Sequence, residues 1–333
     1  MNNEITPIYI LSGFLGSGKT TLLTRMITYW KAKGLRPAIV MNEIGEVNIE
    51  GMITGQDVPT AEMLSGCICC SIRADLTSEL AMLIQKEKPD VIVIEATGAA
   101  NPMEILDAVA EASLYIKIDV KNVITVVDSA HLLHLHAEQK GKTYRLMQEQ
   151  IRCASLLIMN KIDQISEEEQ QESSRIVRGW NSFAPLIPAV RCNVDPELLL
   201  EGELDHHRYV KVHDETDNTT HESEHRHEND HHTHHTHEHV MSYTYYLQGP
   251  VHSHDFEAFI ADLPRDIYRA KGILTFSDTA SRFLFQYAYR ESDFMKINPQ
   301  GDLPDVVVFI GEHFNKLWLH DRLVLLDQQS ISQ

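Results

Sequence analysis

The sequence predicts an α/β fold in which helices cover both faces of a parallel sheet, followed by a smaller α+β domain. Five short runs rich in Ile and Val lack the polar alternation of a half-exposed sheet, which is typical of buried parallel strands. These runs are residues 8–11, 38–41, 91–94, 123–127 and 156–159. Helical patterns separate them at residues 20–33, 74–88, 102–112 and 167–180. Strands that alternate with helices in this way favour a parallel sheet.

The composition changes abruptly in the second half of the chain. Residues 213–239 contain no aliphatic or aromatic side chain, and ten of these 27 residues are histidine. Because such a segment cannot offset its ordering entropy by burying apolar surface, we interpret it as a mobile linker. After it, strands are predicted at residues 242–247, 267–276, 282–289 and 306–310, with short helices at 256–263 and 314–319. We therefore divide the chain into a first domain at 1–205, a His-rich linker at 206–240 and a second domain at 241–330.

Composition and charge argue against several functional classes. The 333 residues include 48 Asp and Glu but 29 Lys and Arg, a formal net charge of −19 that argues against nucleic-acid binding. No apolar run approaches the roughly 20 residues that span a bilayer, and the start of the chain lacks the basic leader of a signal peptide. Five cysteines, three of them within residues 67–70, do not form a typical disulfide framework. We expect a cytoplasmic protein with reduced thiols and no membrane partner, with Cys153 and Cys192 buried.

A phosphate-binding motif follows the first predicted strand. Residues 13–20, GFLGSGKT, fit the P-loop pattern G-x-x-x-x-G-K-[ST] without a mismatch, and a predicted helix follows them. The glycines let backbone N–H groups curl around phosphate oxygens, and the start of the helix attracts an anion. We expect Lys19 to neutralise the β- and γ-phosphates and Thr20 to bind Mg²⁺. The alternative is a glycine turn that only joins a strand to a helix.

Two further polar segments stand at the ends of predicted strands. In residues 160–163, NKID, the Asp163 carboxylate can accept both the ring N–H and the exocyclic amine of guanine, whereas adenine presents the wrong donors. GTP is therefore favoured over ATP. At the end of another strand, Glu95 can organise Mg²⁺ or its waters, and Gly98 can donate its backbone N–H to the γ-phosphate. The alternative for this second segment is a helix cap after a strand.

Three cysteines stand close together at Cys67, Cys69 and Cys70. Residues two apart in an extended segment point the same way, so Cys67 and Cys69 could bind one ion. Soft thiolates favour Zn²⁺ or another thiophilic metal over Mg²⁺ or Ca²⁺. Three sulfur ligands make an incomplete shell, which suits a metal that must leave again, with Glu43 or Glu46 as an oxygen ligand. Two alternatives stay open, namely three buried core cysteines and a redox pair.

Five motifs occur in order along the chain, and together they resemble the CobW-like metallochaperone GTPases. These proteins are relatives of the nickel-insertion GTPases of urease and hydrogenase maturation. The motifs are residues 13–20, 42–46 (NEIGE), 65–70 (SGCICC), 95–98 (EATG) and 160–163 (NKID). Residues 270–274 and 308–311 look like the CobW C-terminal domain of the same family. The resemblance covers nearly the whole chain, and C-x-C-C is its most specific element.

The resemblance implies a GTPase that binds zinc, or in some branches cobalt, at the C-x-C-C motif. It also implies that the metal passes to a client apo-metalloprotein in a GTP-dependent step. Because the sequence offers no obvious cis arginine finger or catalytic glutamine, we expect slow intrinsic turnover. By match, Cys67, Cys69 and Cys70 would be the metal ligands. The residues then expected to hold GTP and Mg²⁺ are Gly13, Gly16, Ser17, Gly18, Lys19, Thr20, Thr21, Asn160, Lys161 and Asp163. We assign the hydrolytic roles to Lys19, Glu95 and Gly98.

Several alternatives stay open at this point. The histidines of residues 213–239 could buffer metal ions, since neutral imidazole binds Zn²⁺, Ni²⁺, Co²⁺ and Cu²⁺ alike, or could belong to an inert linker. Nucleotide-gated metal storage or sensing is a second function, and a P-loop kinase for a small metabolite is a third. Cobalt or nickel could replace zinc as the cargo, and a homodimer is one open oligomeric state. His131, His134 and His136 are interpreted as surface residues.

Overall fold

The computed structural model describes residues 5–41, 58–62, 71–200, 240–279, 281–288, 290–299 and 303–331. The strands in these ranges form two sheets, one from residues before position 189 and one from residues after position 239. We call residues 5–200 the N-terminal unit and residues 240–331 the C-terminal unit.

A seven-stranded parallel sheet forms the centre of the N-terminal unit. Its strands are β1 (Thr6–Ser12), β2 (Pro37–Met41), β3 (Thr60–Glu62), β4 (Val91–Glu95), β5 (Ile118–Asp128), β6 (Leu156–Asn160) and β7 (Leu186–Pro188). They lie in the order β3-β2-β4-β1-β5-β6-β7, and all neighbouring pairs are parallel. The five predicted strands correspond to the five central ones, and the short edge strands β3 and β7 are additional. The predicted α/β class is confirmed.

Helices cover both faces of this sheet. They are α1 (Lys19–Ala32), α2 (Ser71–Glu87), α3 (Pro102–Ala112), α4 (Ser129–Glu138), α5 (Lys142–Arg152), α6 (Glu167–Trp180) and α7 (Pro196–Leu200), with a 3-10 turn at Ile162–Gln164. Because side chains alternate along a strand, Ile8 and Ile10 of β1 join a buried cluster with α2 and α3. Tyr9 and Leu11 join a cluster with α1 on the other face. Because β1, β4, β5 and β6 are parallel, their carboxyl ends lie at the same edge of the sheet.

The C-terminal unit is an antiparallel sheet with two helices, as the predicted α+β class requires. Its strands are β8 (Val240–Tyr246), β9 (Ile267–Phe276), β10 (Ser281–Ala288), β11 (Glu291–Ile297) and β12 (Val306–Glu312), and its helices are α8 (Ser253–Ala261) and α9 (Lys316–Ile331). The strand order is β11-β10-β9-β12-β8. Within the ranges described, no helix combines the length and apolarity that a membrane-spanning segment requires.

Two elements of the C-terminal unit differ from the sequence prediction. The prediction omitted β11, because this edge strand is mostly exposed and lacks an alternating apolar pattern. The predicted short helix at 314–319 is wrong in length, since α9 continues to Ile331. Leu319, Leu323 and Leu326 are buried at helical spacing, so the apolar face persists beyond the polar residues that ended the prediction.

The two units meet on α3. Ile105 and Val109 of α3 belong to the same buried cluster as first-sheet residues and as Ile273, Val306 and Val308 of the second sheet. Polar contacts frame this apolar core. For example, the Tyr246 hydroxyl of β8 accepts a hydrogen bond from the backbone N of Ile118 at 2.9 Å. Helix α3 therefore packs against both sheets.

Candidate nucleotide-binding site

The loop between β1 and α1 needs glycine at the two fixed positions of the P-loop pattern. Gly13 has a φ of 132°, and a Cβ atom there would lie 2.3 Å from the carbonyl oxygen of Val126. Gly18 has a φ of 117°, and its Cβ would lie 2.5 Å from Nδ2 of Asn160. Only glycine combines this backbone conformation with such close approach. Gly16 also has a positive φ, but no atom of the described residues beyond its chain neighbours lies within 4 Å of a Cβ placed there.

The Lys19 ammonium group is held by carbonyl groups of this loop. Lys19 is the first residue of α1 and is 7% exposed. Its Nζ donates to the carbonyl oxygen of Gly13 at 2.8 Å and to that of Phe14 at 3.3 Å. Ser17, a residue of the loop itself, is fully buried, whereas Thr21 is exposed on the first turn of α1. A pre-positioned ammonium group of this kind suits a ligand with several anionic oxygens.

Thr20 and Glu95 present oxygen ligands close to this lysine. Oγ1 of Thr20 lies 3.5 Å from Oε1 of Glu95. Oε2 of Glu95 is buried and has no hydrogen-bond partner in the described part of the chain. Burial raises the pKa of the Glu95 carboxyl group, while Lys19 and Thr20 act to lower it. Hard divalent cations prefer carboxylate and hydroxyl oxygens, so this pair fits Mg²⁺, which would supply charge to the buried carboxylate and to phosphate oxygens.

The loop after β4 lies directly on the P-loop. A Cβ atom at Gly98 would be 2.6 Å from the backbone nitrogen of Leu15, so a larger residue cannot take this position without a shift. The loop continues to Asn101, whose side chain accepts a hydrogen bond from the backbone N of Met103 at 2.9 Å and caps α3. Because Gly98 lies only three residues before the Asn101 cap, a shift of Gly98 would act directly on the start of α3.

Asn160 links the P-loop to the loop after β7. It is 2% exposed, its Nδ2 donates to the carbonyl oxygen of Ser17 at 2.7 Å, and its Oδ1 accepts from the backbone N of Cys192 at 2.8 Å. The amide group therefore sets the spacing between the two loops. Cys192, like Cys153, is buried as predicted. Burial raises the pKa of the Cys192 thiol to about 11, which makes this cysteine unreactive despite its position beside the P-loop.

Lys161 and Asp163 lie at the end of β6. Lys161 has a φ of 61°, and its Nζ lies 2.6 Å from Oδ2 of Asp128. Asp163 is exposed in the 3-10 turn, so its carboxylate is free to accept the N–H groups of a base. Asp128, which no sequence motif indicated, also caps α4 by accepting a hydrogen bond from the backbone N of His131 at 3.1 Å. Its position at the end of a strand next to β6 was the available signal.

Two of the three histidines in α4 are partly buried and contact aromatic side chains, contacts that the interpretation as surface residues did not include. The His131 ring stacks on Phe14 of the P-loop at a centroid distance of 5.2 Å, and its Nε2 is buried. Nδ1 of His136 lies 2.9 Å from the Tyr144 hydroxyl. His134 is exposed as predicted. The aromatic partners come from distant parts of the chain, which local sequence patterns do not reveal.

The predicted metal ligands lie outside the described residues. These are Cys67, Cys69, Cys70 and Glu43, and the histidines of residues 213–239 also fall outside. Among the residues described, no group of three or more His, Cys, Asp and Glu side chains could hold a metal ion. The assignment of the thiol site therefore stays a prediction.

Two family profiles match the chain. The profile for the nucleotide-binding domain of CobW/HypB/UreG matches residues 7–188, which is more than half of the chain. This chain belongs to the CobW/HypB/UreG family. The cobalamin synthesis protein CobW C-terminal domain matches residues 240–324, which form the second sheet and most of its helices. The resemblance inferred from the five motifs is thereby confirmed, and so is the P-loop NTPase fold of the N-terminal unit.

Individual members of the family match shorter stretches. The zinc-regulated GTPase metalloprotein activator 1 of Dictyostelium discoideum is 29% identical over 231 residues, covering 55% of this chain and 47% of that protein. The zinc chaperone CobW of Pseudomonas aeruginosa is 30% identical over 240 residues, covering 60% of this chain and 64% of that protein. The Zn(II)-bound YjiA GTPase of E. coli has a TM-score of 0.43 and 20% identity, with 97% of this chain and 99% of that chain covered. The chain thus spans about half of the Dictyostelium discoideum protein and about two thirds of the Pseudomonas aeruginosa protein.

Proposed function

We propose that this CobW/HypB/UreG-family chain hydrolyses GTP and uses the reaction to deliver zinc from Cys67, Cys69 and Cys70 to a client metalloprotein. One structural observation supports the proposed coupling between the nucleotide site and the metal site. Gly98 contacts the P-loop just before α3 begins, and α3 shares a buried cluster with α2. Helix α2 begins at Ser71, directly after the last cysteine. The loop that would sense the γ-phosphate is therefore connected by packed helices to the residue that follows the thiol motif.

The nucleotide half of the proposal rests on the described site. Lys19 would neutralise phosphate charge, and Thr20 with Glu95 would hold Mg²⁺, which supplies Lewis-acid stabilisation of the transferring phosphoryl group. Gly98 would donate its N–H to the γ-phosphate, a contact that GDP cannot make. Asp163 would accept the two N–H groups of guanine. We expect slow intrinsic hydrolysis, faster when a client binds.

The metal-transfer part of the proposal is supported by the ligand chemistry of the cysteines and by the names of two relatives. Two of the relatives above are named as zinc-regulated or as a zinc chaperone. Three thiols within four residues suit Zn²⁺, and an incomplete ligand shell lowers the barrier to transferring the ion to another protein. Zinc is therefore cargo rather than a resident cofactor, and cobalt or nickel is an alternative cargo. Reactive thiols of this kind require a reducing compartment, which supports a cytoplasmic location.

Zinc release under different nucleotides tests the coupling. Protein loaded with one equivalent of Zn²⁺ is mixed with a chromophoric zinc chelator in the presence of GTP, GDP or a non-hydrolysable GTP analogue. We expect the rate of zinc transfer to differ by about tenfold or more between the GTP and GDP states. Equal transfer rates with all three nucleotides would contradict the coupling and would favour metal storage as the function.

Matched cysteine variants identify the donor in this experiment. Replacing Cys67, Cys69 and Cys70 by Ser is expected to abolish loading with the single transferable ion. The control is Cys153→Ala, which removes a buried thiol that the structure places in the core. If the triple variant still loads and transfers one zinc ion, the thiol motif is not the donor site.

Base selection tests the nucleotide assignment separately. In Asp163→Asn, the side-chain amide donates where the carboxylate accepted, so affinity for GTP falls and affinity for the xanthine nucleotide, which carries a carbonyl in place of the amine, rises. Asp321→Asn, an exposed carboxylate in α9, is the control. Hydrolysis is read as phosphate release, and phosphate found instead on a small metabolite would indicate a kinase.

A further inference from the structure

Gln150 is a buried polar residue that has no role in the nucleotide-binding site as described above. It lies near the end of α5 and is 1% exposed. Its Nε2 donates to the carbonyl oxygen of Gly98 at 3.2 Å and lies 3.3 Å from that of Ala100. Its Oε1 is buried and has no hydrogen-bond partner within the described ranges. The donor end of the amide is therefore directed at the loop after β4, which lies against the P-loop.

The main chain of Gln150 is fixed to the central sheet. Thr125 of β5 is 1% exposed, and its hydroxyl donates to the carbonyl oxygen of Gln150 at 2.8 Å. Gln150 thus joins β5, α5 and the loop after β4. The loop presents two carbonyl oxygens, which need donors, and an amide nitrogen supplies two hydrogens from one side chain. An apolar side chain or an ionised carboxylate would supply none.

The carbonyl groups that Gln150 holds lie at the contact with the P-loop. The backbone of Leu15 lies beside Gly98, and the Gln150 amide donates a hydrogen bond to the carbonyl oxygen of Gly98. The Leu15 backbone limits how closely Gly98 can approach the P-loop, and the hydrogen bond from Gln150 anchors the carbonyl group of Gly98. A hydrogen bond from the Gly98 N–H to a phosphate oxygen weakens steeply with distance and angle, so its strength depends on this placement.

We propose that Gln150 is a positioning residue that holds Gly98 where its N–H can bind the γ-phosphate, and that it thereby sets the preference for GTP over GDP. Gln150 is buried and holds the carbonyl group of Gly98, so it would act through the loop and not by binding the phosphate itself. The inference rests on the guanine-nucleotide part of the proposed function and is independent of metal transfer. A residue that only stabilised the fold would influence both nucleotides equally.

Nucleotide affinities of Gln150→Met test this role. Methionine keeps the volume and removes the donors. The dissociation constants of GDP and of a non-hydrolysable GTP analogue are measured by calorimetry on the full chain with Mg²⁺. We expect the analogue to bind about tenfold more weakly, because the γ-phosphate contact is lost, while GDP affinity stays within about twofold.

Gln170→Met is the matched control. The Gln170 amide also donates to a backbone carbonyl at the site, that of Ile162 at 3.0 Å, but on the side of the base motif. This variant is expected to change the two affinities by the same factor. If Gln150→Met also changes both by the same factor, or changes neither, the proposal is overturned.

A second variant covers the case in which Gln150→Met does not fold. Gln150→Asn keeps an amide, but its shorter side chain cannot reach both carbonyl oxygens, and we expect the same selective loss of analogue affinity. Phosphate release by the wild type is measured in parallel. Absence of hydrolysis there would refute the proposed GTPase, whereas the binding comparison would still decide the role of Gln150.

Discussion

Lys271 of the second sheet forms an ion pair with Glu111 of α3, with 2.5 Å between Nζ and Oε2. Arg269, two residues earlier in β9, forms an ion pair with Asp107, four residues earlier in α3. Residues two apart share a face of a strand, and residues four apart share a face of a helix. The two ion pairs therefore run side by side and attach one face of α3 to the C-terminal unit, while the start of α3 follows the Gly98 loop.

Reversing the charge of Lys271 should weaken this attachment. Lys271→Glu places a carboxylate against Glu111 in a partly buried site, and we expect the free energy of unfolding to fall by about 1–3 kcal/mol. Adding Glu111→Lys to the same chain should restore most of the loss, since the pair is re-formed with opposite polarity. Thermal and denaturant unfolding measure both changes.

The exposed pair of Lys33 and Glu197 provides the control for this exchange. Its partners are each 55% exposed, so Lys33→Glu should change stability far less than Lys271→Glu. Equal effects at the two sites would show that the contact between α3 and the second sheet does not contribute to stability as we infer.

Gly98→Ala should impair nucleotide turnover while the protein remains folded. The added methyl group would lie 2.6 Å from the Leu15 nitrogen, so the loop must move off the P-loop. We expect GTP hydrolysis to fall by at least about tenfold, a loss of about 1.4 kcal/mol in transition-state stabilisation. Steady-state phosphate release measures it.

Gly179→Ala is the matched glycine variant. Among the described residues, no atom outside the neighbouring backbone of α6 lies within 4 Å of a Cβ atom at Gly179. We therefore expect normal hydrolysis and a gain of about 0.5–1 kcal/mol in stability from the better helix former. A Gly98→Ala protein with wild-type turnover would mean that the loop does not need to approach the P-loop.

Thiol titration should separate the cysteines into two groups. Burial raises the pKa of Cys153 to about 12 and that of Cys192 to about 11, so neither forms an appreciable amount of thiolate at pH 8. Because the chain has five cysteines, three are expected to react rapidly in the folded protein and five in denaturant. One equivalent of Zn²⁺ should protect the rapid group. Rapid thiols that stay reactive with zinc bound would argue against their being its ligands.

The ion pair between Arg36 and Asp90 should make stability depend on acid pH. The hydrogen bond from Arg36 holds the pKa of Asp90 below its ordinary value. A carboxyl group with a lowered folded pKa contributes stability above its unfolded pKa of about 3.9 and loses that contribution as pH falls through the folded value. We therefore expect Asp90→Asn to be less stable than the wild type at pH 6–7.

Urea unfolding at several pH values checks this expectation. The difference between the wild type and Asp90→Asn should shrink as pH falls below about 4, and it should be smaller in high salt because both partners are substantially exposed. A difference that is the same at pH 7 and pH 3 would show that charge on Asp90 does not contribute.

Much of the N-terminal unit could be predicted because its signals are local. Buried parallel strands appear in a sequence as short apolar runs. The P-loop is a contiguous pattern, and the backbone conformation at Gly13 and Gly18 requires glycine. The prediction failed where exposure hides the pattern, as in β11, or where the neighbour is distant in sequence, as in the stacking of His131 on Phe14.

Local sequence patterns were enough to predict the fold class, the order of the two units and which chemical groups are available for phosphate, base and metal. How these groups are supported became visible in the folded chain: Gln150 holds Gly98, Asn160 joins two loops, and α3 lies between the sheets. The physical reason is that local patterns record backbone preferences and burial. A hydrogen bond between residues 52 positions apart depends on the packing of the whole core.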